Sequence, residues 1–154
     1  MFVDLCLALA QHGVEVQAIH NSAFVKRGIL EQVRGIRAVP VHVRAGWDPF
    51  ARAQVRRAIT GFSPDAIHSH LARGALFAGA AARRLRIPAA ANLHNYVKLK
   101  YYRGIDVIVP GTDDQRRYLL RHGDEPFGIV VLEAMACGRT IIATRSNKSS
   151  KRSW

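Results

Sequence analysis

Apolar and polar residues recur with two periods along this chain, and the two periods take turns. Residues 2–12 place their apolar side chains on one helical face and stop at Gly13, whereas residues 14–20 alternate as a strand does. Residues 36–43 form a second predicted strand. Pro40 has no amide hydrogen to give a ladder, so it puts that strand at an edge or ends it early. Asp48-Pro49 opens a helix, since Asp48 can cap free amides, Pro49 fits a first turn, and residues 50–59 supply an apolar face. Ser63-Pro64-Asp65 is a turn into a short strand at 66–70. An Ala-rich helix over 71–85 follows and ends before Pro88, with a further strand at 89–94. Residues 105–110 are the clearest strand, and Thr112-Asp113-Asp114-Gln115 has the capping-box spacing that opens a helix ending at Gly123. Strand followed by helix, without hairpin signals, predicts an α/β fold with a parallel sheet and helices on both faces.

Beyond Gly123 the texture changes. Residues 124–127 read as a turn, 128–137 as a helix stopped by Gly138, and 140–144 as a strand. Residues 145–154 hold four basic residues, four serines and one apolar residue, and are expected to be disordered. With 154 residues and 49% hydrophobic content the chain is long enough for a real core. No uncharged apolar run approaches the ~18 residues needed to cross a bilayer. The apolar start resembles a signal peptide but carries Asp4 where basic residues belong. Cys6 and Cys137 have no metal-binding or disulfide-framework spacing, which favours a reducing compartment, so the cytoplasm is expected. Lys and Arg number 23 against 11 Asp and Glu, a net charge of +12 that is mostly scattered arginine. That excess attracts anionic partners without naming one.

The segment richest in chemistry is E-P-F-G-I-V-V-L-E-A-M-A-C-G, residues 125–138. Pro126 and Gly128 put Glu125 in a turn at a helix N-terminus, where free amides and close backbone approach suit a diphosphate. Glu133, further along that helix, could accept hydrogen bonds from a ribose diol. Spacing alone is equally satisfied by a capped helix with a structural Glu133. His68 and His70 share one strand face, but no third ligand has a telling spacing, so no metal is expected. His70 and His94 fall at strand ends, where a hydrogen-bonded histidine without catalytic duty is the plainer alternative. His12, His20, His42 and His122 read as surface or element-end residues. Tyr96, Tyr101 and Tyr102 with Lys98, Lys100 and Arg103 read as an amphipathic surface helix, or as a platform for nucleic acid or an acidic acceptor. There is no P-loop, no G-x-G-x-x-G and no Ser-His-Asp motif.

The full 125–138 string resembles the E-x7-E region of glycosyltransferase family 4, whose members have the GT-B fold of two Rossmann-like domains. Gly138 and residues 141–144 match the turn and strand that follow, although Thr140 stands where the family commonly has Pro. The earlier chain is similar to that family's N-terminal half: Ser63-Pro64-Asp65-Ala66-Ile67-His68-Ser69-His70, then Ala91-Asn92-Leu93-His94-Asn95, then Asp106-Val107-Ile108-Val109-Pro110, in the family's order. The resemblance implies a retaining transfer of a hexosyl group from a nucleoside diphosphate sugar to a glycan or glycolipid acceptor. By that resemblance Glu125 and His94 contact the donor sugar, Phe127 and Gly128 lie near the donor, Glu133 binds the ribose, and His70 and Asn95 line the cleft. No cofactor or metal is implied. The positive charge would suit peripheral contact with an anionic membrane on its inner face, and nucleic acid is not favoured as a partner.

The resemblance also implies a division of the chain: residues 1–123 as a Rossmann-like acceptor-side domain lacking its first strand, 124–144 as a fragment of the nucleotide-sugar domain, and 145–154 as a basic tail. The family pattern between these pieces carries the cations that neutralise the departing diphosphate, so weak or absent turnover is expected of a shortened, internally deleted member. The strands at 14–20 and 66–70 would then lack a shared neighbour. Two other classes remain open at this point: a non-catalytic nucleotide or sugar binder, and a basic protein for nucleic acid or anionic membrane surfaces.

Overall fold

The computed structural model describes residues 1–122, and the elements follow the predicted alternation. Helix α1 (Phe2–Gln11) buries Val3 and Cys6, and the chain leaves it through Gly13 at φ +78°, a conformation that suits a residue without Cβ. Strand β1 (Val16–Asn21) is followed by α2 (Arg27–Glu31), a short helix that the sequence pattern does not announce, anchored by the fully buried Leu30. Strand β2 (Ile36–Val41) pairs with β1 in parallel, Val16 opposite Ile36 and Asn21 opposite Val41. Among the described residues β2 has no other partner, the edge position expected of a strand that contains Pro40.

Helix α3 (Pro49–Phe62) begins as the sequence predicts. The Asp48 carboxylate accepts hydrogen bonds from the amides of Phe50 at 2.9 Å and Ala51 at 3.1 Å. Those backbone bonds, led by the one from Ala51, hold its carboxyl below the usual range. Strand β3 (Ile67–His70) runs directly into α4 (Leu71–Leu85), and β4 (Ala89–Leu93) follows. A single 3-10 turn, η1 (Leu99–Tyr102), leads to β5 (Val107–Pro110) and α5 (Asp113–His122). Strands β3, β4 and β5 form a second parallel sheet in that order, with His70 opposite Asn92 and Leu93 opposite Pro110.

The strands therefore lie in two parallel sheets bridged by helices. Val41, Ala51, Val55, Ile59, Phe77 and Ala81 make one apolar cluster beneath both, reached by Ile19 from β1 and by Ile67 from β3. Helices α1 and α2 cover the opposite face of the first sheet through Val3, Cys6 and Leu30 against Ala18. This is the three-layer, Rossmann-like α/β arrangement the sequence implies. The free edges of β1 and β3 pair with no described strand. A third cluster joins α4 to β4, η1 and α5 through Ala75, Leu93, Tyr102, Ile108 and Leu119. Here backbone meets backbone, since a Cβ on Gly79 would lie 2.9 Å from Gly104 Cα.

Two expectations are corrected. The aromatic-basic stretch is not an amphipathic surface helix: most of it is loop and one 3-10 turn, and Tyr102 is fully buried because its ring fills the third cluster. His20 lies one residue before the end of β1 but is buried, since its ring packs on Phe24 with centroids 5.7 Å apart. The turn, helix and strand predicted over residues 124–144, and the tail at 145–154, lie outside the described residues.

Candidate functional site

Adjacent parallel strands deliver two histidines to one place. His70 is the last residue of β3 and His94 directly follows β4, so both sit at carboxyl strand ends, where parallel sheets present ligands. His70 Nδ1 lies 3.2 Å from His94 Nε2, and the rings stack with centroids 5.5 Å apart. His68, two residues earlier on the same strand face, stacks on the other side of His70 at 5.0 Å. Its Nε2–H donates to Asn92 Oδ1, the side chain opposite His70 in register. The edge of Phe2, from α1, closes on the His70 ring at 5.4 Å.

The backbone turns sharply at this point. Leu71, immediately after His70, has φ +66°, a left-handed conformation that costs a residue with a Cβ roughly 1 to 2 kcal/mol. Its side chain is half exposed, so no packing of Leu71 itself explains the strain. The turn ends β3 at His70 and starts α4 at once, which leaves the imidazole at the mouth of the sheet. Strain of this kind is characteristic of sites where one side chain must point in a set direction.

Burial pushes the His70 imidazole from 6.5 down to about 4, and repulsion from His68, His94 and the N-terminal ammonium adds to it. At neutral pH the ring is therefore uncharged. Its Nε2 is buried and has no hydrogen-bond partner among the described residues, so the favoured tautomer carries the proton on Nδ1, donates it to His94 Nε2, and leaves a bare lone pair inside. That choice fixes the His94 ring, whose remaining nitrogen carries the other proton.

The carboxyl end of β4 is held from a second direction. Gln115 in α5 donates from Nε2 to the His94 carbonyl at 3.2 Å, while its Oε1 accepts from the Gly111 amide at 2.7 Å. Its own amide donates to Thr112 Oγ1 at 3.2 Å. The Thr112–Gln115 cap thus forms in one direction, but the glutamine side chain bonds Gly111 and His94 instead of closing back on Thr112. Tyr96 Oη donates to the Asp114 carboxylate, which raises the tyrosine's own pKa, and Tyr118 Oη donates to the Val97 carbonyl at 3.1 Å. Three side-chain contacts thus tie the loop after β4 to α5.

Of the residues expected at the site, His70 and His94 are brought into contact, and Asn95 stands exposed beside them. Glu125, Phe127, Gly128 and Glu133 lie outside the described residues. Gln115 and Leu71 were not anticipated. The T-D-D-Q spacing pointed to a helix cap, and nothing in it connects to a carbonyl 21 residues upstream. Among the described residues no three His, Cys, Asp or Glu side chains are grouped to hold a metal ion.

In the solved structures, MurG from Acinetobacter baumannii superposes with a TM-score of 0.57 at 20% identity, over 72% of this chain and 36% of that one, a likeness of fold alone. A UDP co-structure of MnaA from S. aureus matches more loosely, with a TM-score of 0.44 at 14% identity, over 73% of this chain and 41% of that one, and carries no argument. The chain thus spans well under half the length of either protein. No curated protein sequence matches it significantly. The family model of Glycosyltransferase Family 4 matches residues 1–132 of the 154, and the chain therefore belongs to that family.

Proposed function

We propose that this chain contributes the acceptor-side wall of a retaining glycosyltransferase site, which moves a hexosyl group from a nucleoside diphosphate sugar to a hydroxyl of a glycan or glycolipid acceptor. The observation that carries the reading is the contact between His70 and His94 at adjacent carboxyl strand ends, in a chain of this family. His94, oriented by His70 on one side and by Gln115 through its backbone on the other, holds a hydroxyl of the donor sugar. Asn95 lines the cleft beside it. Glu125, with Phe127 and Gly128, contacts the donor sugar, and Glu133 accepts hydrogen bonds from the ribose diol. In the transfer the bond between the anomeric carbon and the diphosphate oxygen breaks, the bond to the acceptor oxygen forms on the same face, and the acceptor proton passes to the leaving diphosphate. No separate protein base is needed for that proton, and no metal or cofactor enters the step.

Thermal unfolding of the full chain with and without millimolar UDP, GDP and ADP tests this reading. A ligand that binds only the folded state raises the midpoint, by about 2.7 kcal/mol of stability at a hundredfold excess over Kd. One diphosphate should raise the midpoint in the parent and fail to do so in Glu133→Gln. With the matching nucleotide sugar, His94→Ala should lose the part of the rise that the sugar adds. A midpoint that no diphosphate moves, or that moves equally in the variants, contradicts the assignment. Release of diphosphate from the nucleotide sugar in the presence of acceptor then separates transfer from binding without turnover.

A further inference from the structure

The loop after β4 carries an aromatic ring that the fold fixes in place and yet leaves in water. Tyr96 is 54% exposed, although contacts from α5 hold the chain on either side of it. Gln115 bonds the His94 carbonyl, Tyr118 Oη bonds the Val97 carbonyl, and the Tyr96 hydroxyl itself donates to the Asp114 carboxylate. The Tyr96 and Tyr118 rings meet edge to face, with centroids 5.2 Å apart at 78°. Tyr118 packs in turn against the third apolar cluster, so the arrangement rests on the core. A tyrosine that served packing alone would bury its ring, as Tyr102 does a few residues later.

The groups around the Tyr96 hydroxyl have a chemistry of their own. Asp114 and Arg117 are both exposed, with a carboxylate oxygen 3.8 Å from the guanidinium. An ionised carboxylate offers about four acceptor positions, and the close bond from Tyr96 takes one of them. That same bond holds the Tyr96 phenol above its usual pKa, so the ring stays neutral. A hydrogen-bond acceptor, a donor and an open aromatic ring thus stand together. They lie at the carboxyl end of the sheet, because Tyr96 follows His94 by two residues and α5 begins just after β5 ends. Two residues of chain span at most about 7 Å, so Tyr96 and His94 are neighbours on that rim.

We infer that Tyr96, Asp114 and Arg117 form a subsite for a neutral pyranose residue of the acceptor, stacked on the Tyr96 ring with two adjacent hydroxyls shared between Asp114 and Arg117. A vicinal diol both donates and accepts, so one hydroxyl can donate to the carboxylate while its neighbour accepts from the guanidinium. The C–H face of the sugar covers the exposed ring. An anionic group would gain Arg117 but meet the charge of Asp114. The lysines of the same loop take no part, since the Lys100 ammonium lies over the Tyr101 ring, 5.5 Å from its centroid. This replaces the acidic acceptor suggested by the aromatic-basic pattern with an uncharged one. That the bound sugar is an acceptor rests on the transferase reading above, whereas its binding at Tyr96 does not.

The test uses the full chain without nucleotide. Methyl glycosides of glucose, galactose, mannose and N-acetylglucosamine are titrated to millimolar concentration while the tyrosine ring resonances are followed by NMR. At least one glycoside should bind saturably and move Tyr96 while leaving Tyr101 in place. Tyr96→Ala should weaken that binding about tenfold, through loss of the ring face. Asp114→Asn should also weaken it about tenfold, through loss of the charge-assisted hydrogen bond. Tyr101→Ala should change nothing, and Tyr96→Phe, which keeps the ring, should bind more tightly than Tyr96→Ala. Unfolding midpoints establish that each variant is folded, and the Tyr96 shift in the parent decides the matter even where Tyr96→Ala is not. No saturable shift of Tyr96 with any of the four glycosides, or undiminished binding in Tyr96→Ala, would overturn the inference. Displacement of the sugar by millimolar inorganic phosphate at constant ionic strength would do so too, as would GMP or UMP moving Tyr96 more than any glycoside does. Glycoside binding at Tyr96 in a chain whose midpoint no diphosphate raises would uphold the subsite and refute the transferase reading. A diphosphate response without glycoside binding would do the reverse.

Discussion

Replacing His70 with phenylalanine should change how stability depends on pH more than it changes stability itself. In the folded chain the His70 imidazole protonates at about 4, and in the unfolded chain at its ordinary 6.5. Between those values the unfolded state holds more protons, so stability falls as the pH is lowered from about 6.5 to about 4, and the full loss is present below that. The linkage slope is at most about 1.36 kcal/mol per pH unit, which over this window would sum to about 3.4 kcal/mol. The ring is only half-buried, so solvent screening reduces the expected loss to about 1.5 kcal/mol. Phenylalanine keeps the packing against Phe2, cannot take up a proton, and fills the place of the buried, unpartnered Nε2. It gives up the hydrogen bond to His94, worth about 1 kcal/mol. At pH 7.5 the variant should therefore be slightly less stable than the parent, and by pH 4.5 the two should meet or cross. Urea unfolding midpoints at half-unit steps of pH and constant ionic strength measure this directly. Parallel curves from pH 7.5 to 4.5 would show that His70 does not carry the acid sensitivity and that its burial has been misread.

Three further substitutions probe the frame around the site. Gly79→Ala would gain about 1 kcal/mol in an open helix, but here the added Cβ meets the Gly104 backbone at 2.9 Å, so a loss of about 1 to 3 kcal/mol is expected on denaturation. Gly28→Ala, with open space around it, should be neutral or stabilising, and a Gly79→Ala protein as stable as the parent would contradict the close packing of α4 on the turn before β5. Leu71→Gly should relieve the left-handed strain and raise Tm by about 3 °C in calorimetry, for a gain of about 1 kcal/mol; an unchanged or lower Tm counts against a strained turn. Gln115→Ala leaves the His94 carbonyl and the Gly111 amide without their side-chain partner and should cost about 1 to 3 kcal/mol. It should also move the His94 imidazole resonances, which a purely local cap would leave in place.

The order of elements could be read because each is specified locally. Asp48 and Pro49 determine where α3 starts, Gly13 ends α1, and the Ala-rich run from Leu71 has a single helical face. Helix α2 escaped notice because five residues are too few to show a period, and its anchor, the burial of Leu30, is set by tertiary packing. The buried positions of Tyr102 and His20 were equally invisible, since both are decided by neighbours distant in sequence. At the site, the order of the short strand-end motifs located His70 and His94, because a parallel sheet brings its carboxyl ends together. Their contact, the neutral state of His70 and the grip of Gln115 on His94 depend on register between strands, which no local spacing encodes.

The most direct test of the central claim, that His94 beside His70 forms the sugar-facing wall of the transferase cleft, is the histidine imidazole NMR spectrum of the full chain titrated with nucleoside diphosphate sugars at pH 7.5. With the matching sugar, the resonances of His94 and then His70 should move first and saturably, while the exposed His12 and His122 stay still. The diphosphate without its sugar should move His94 much less. Saturable binding that leaves His94 and His70 unmoved, or no binding of any nucleotide sugar by the folded chain, would contradict the account.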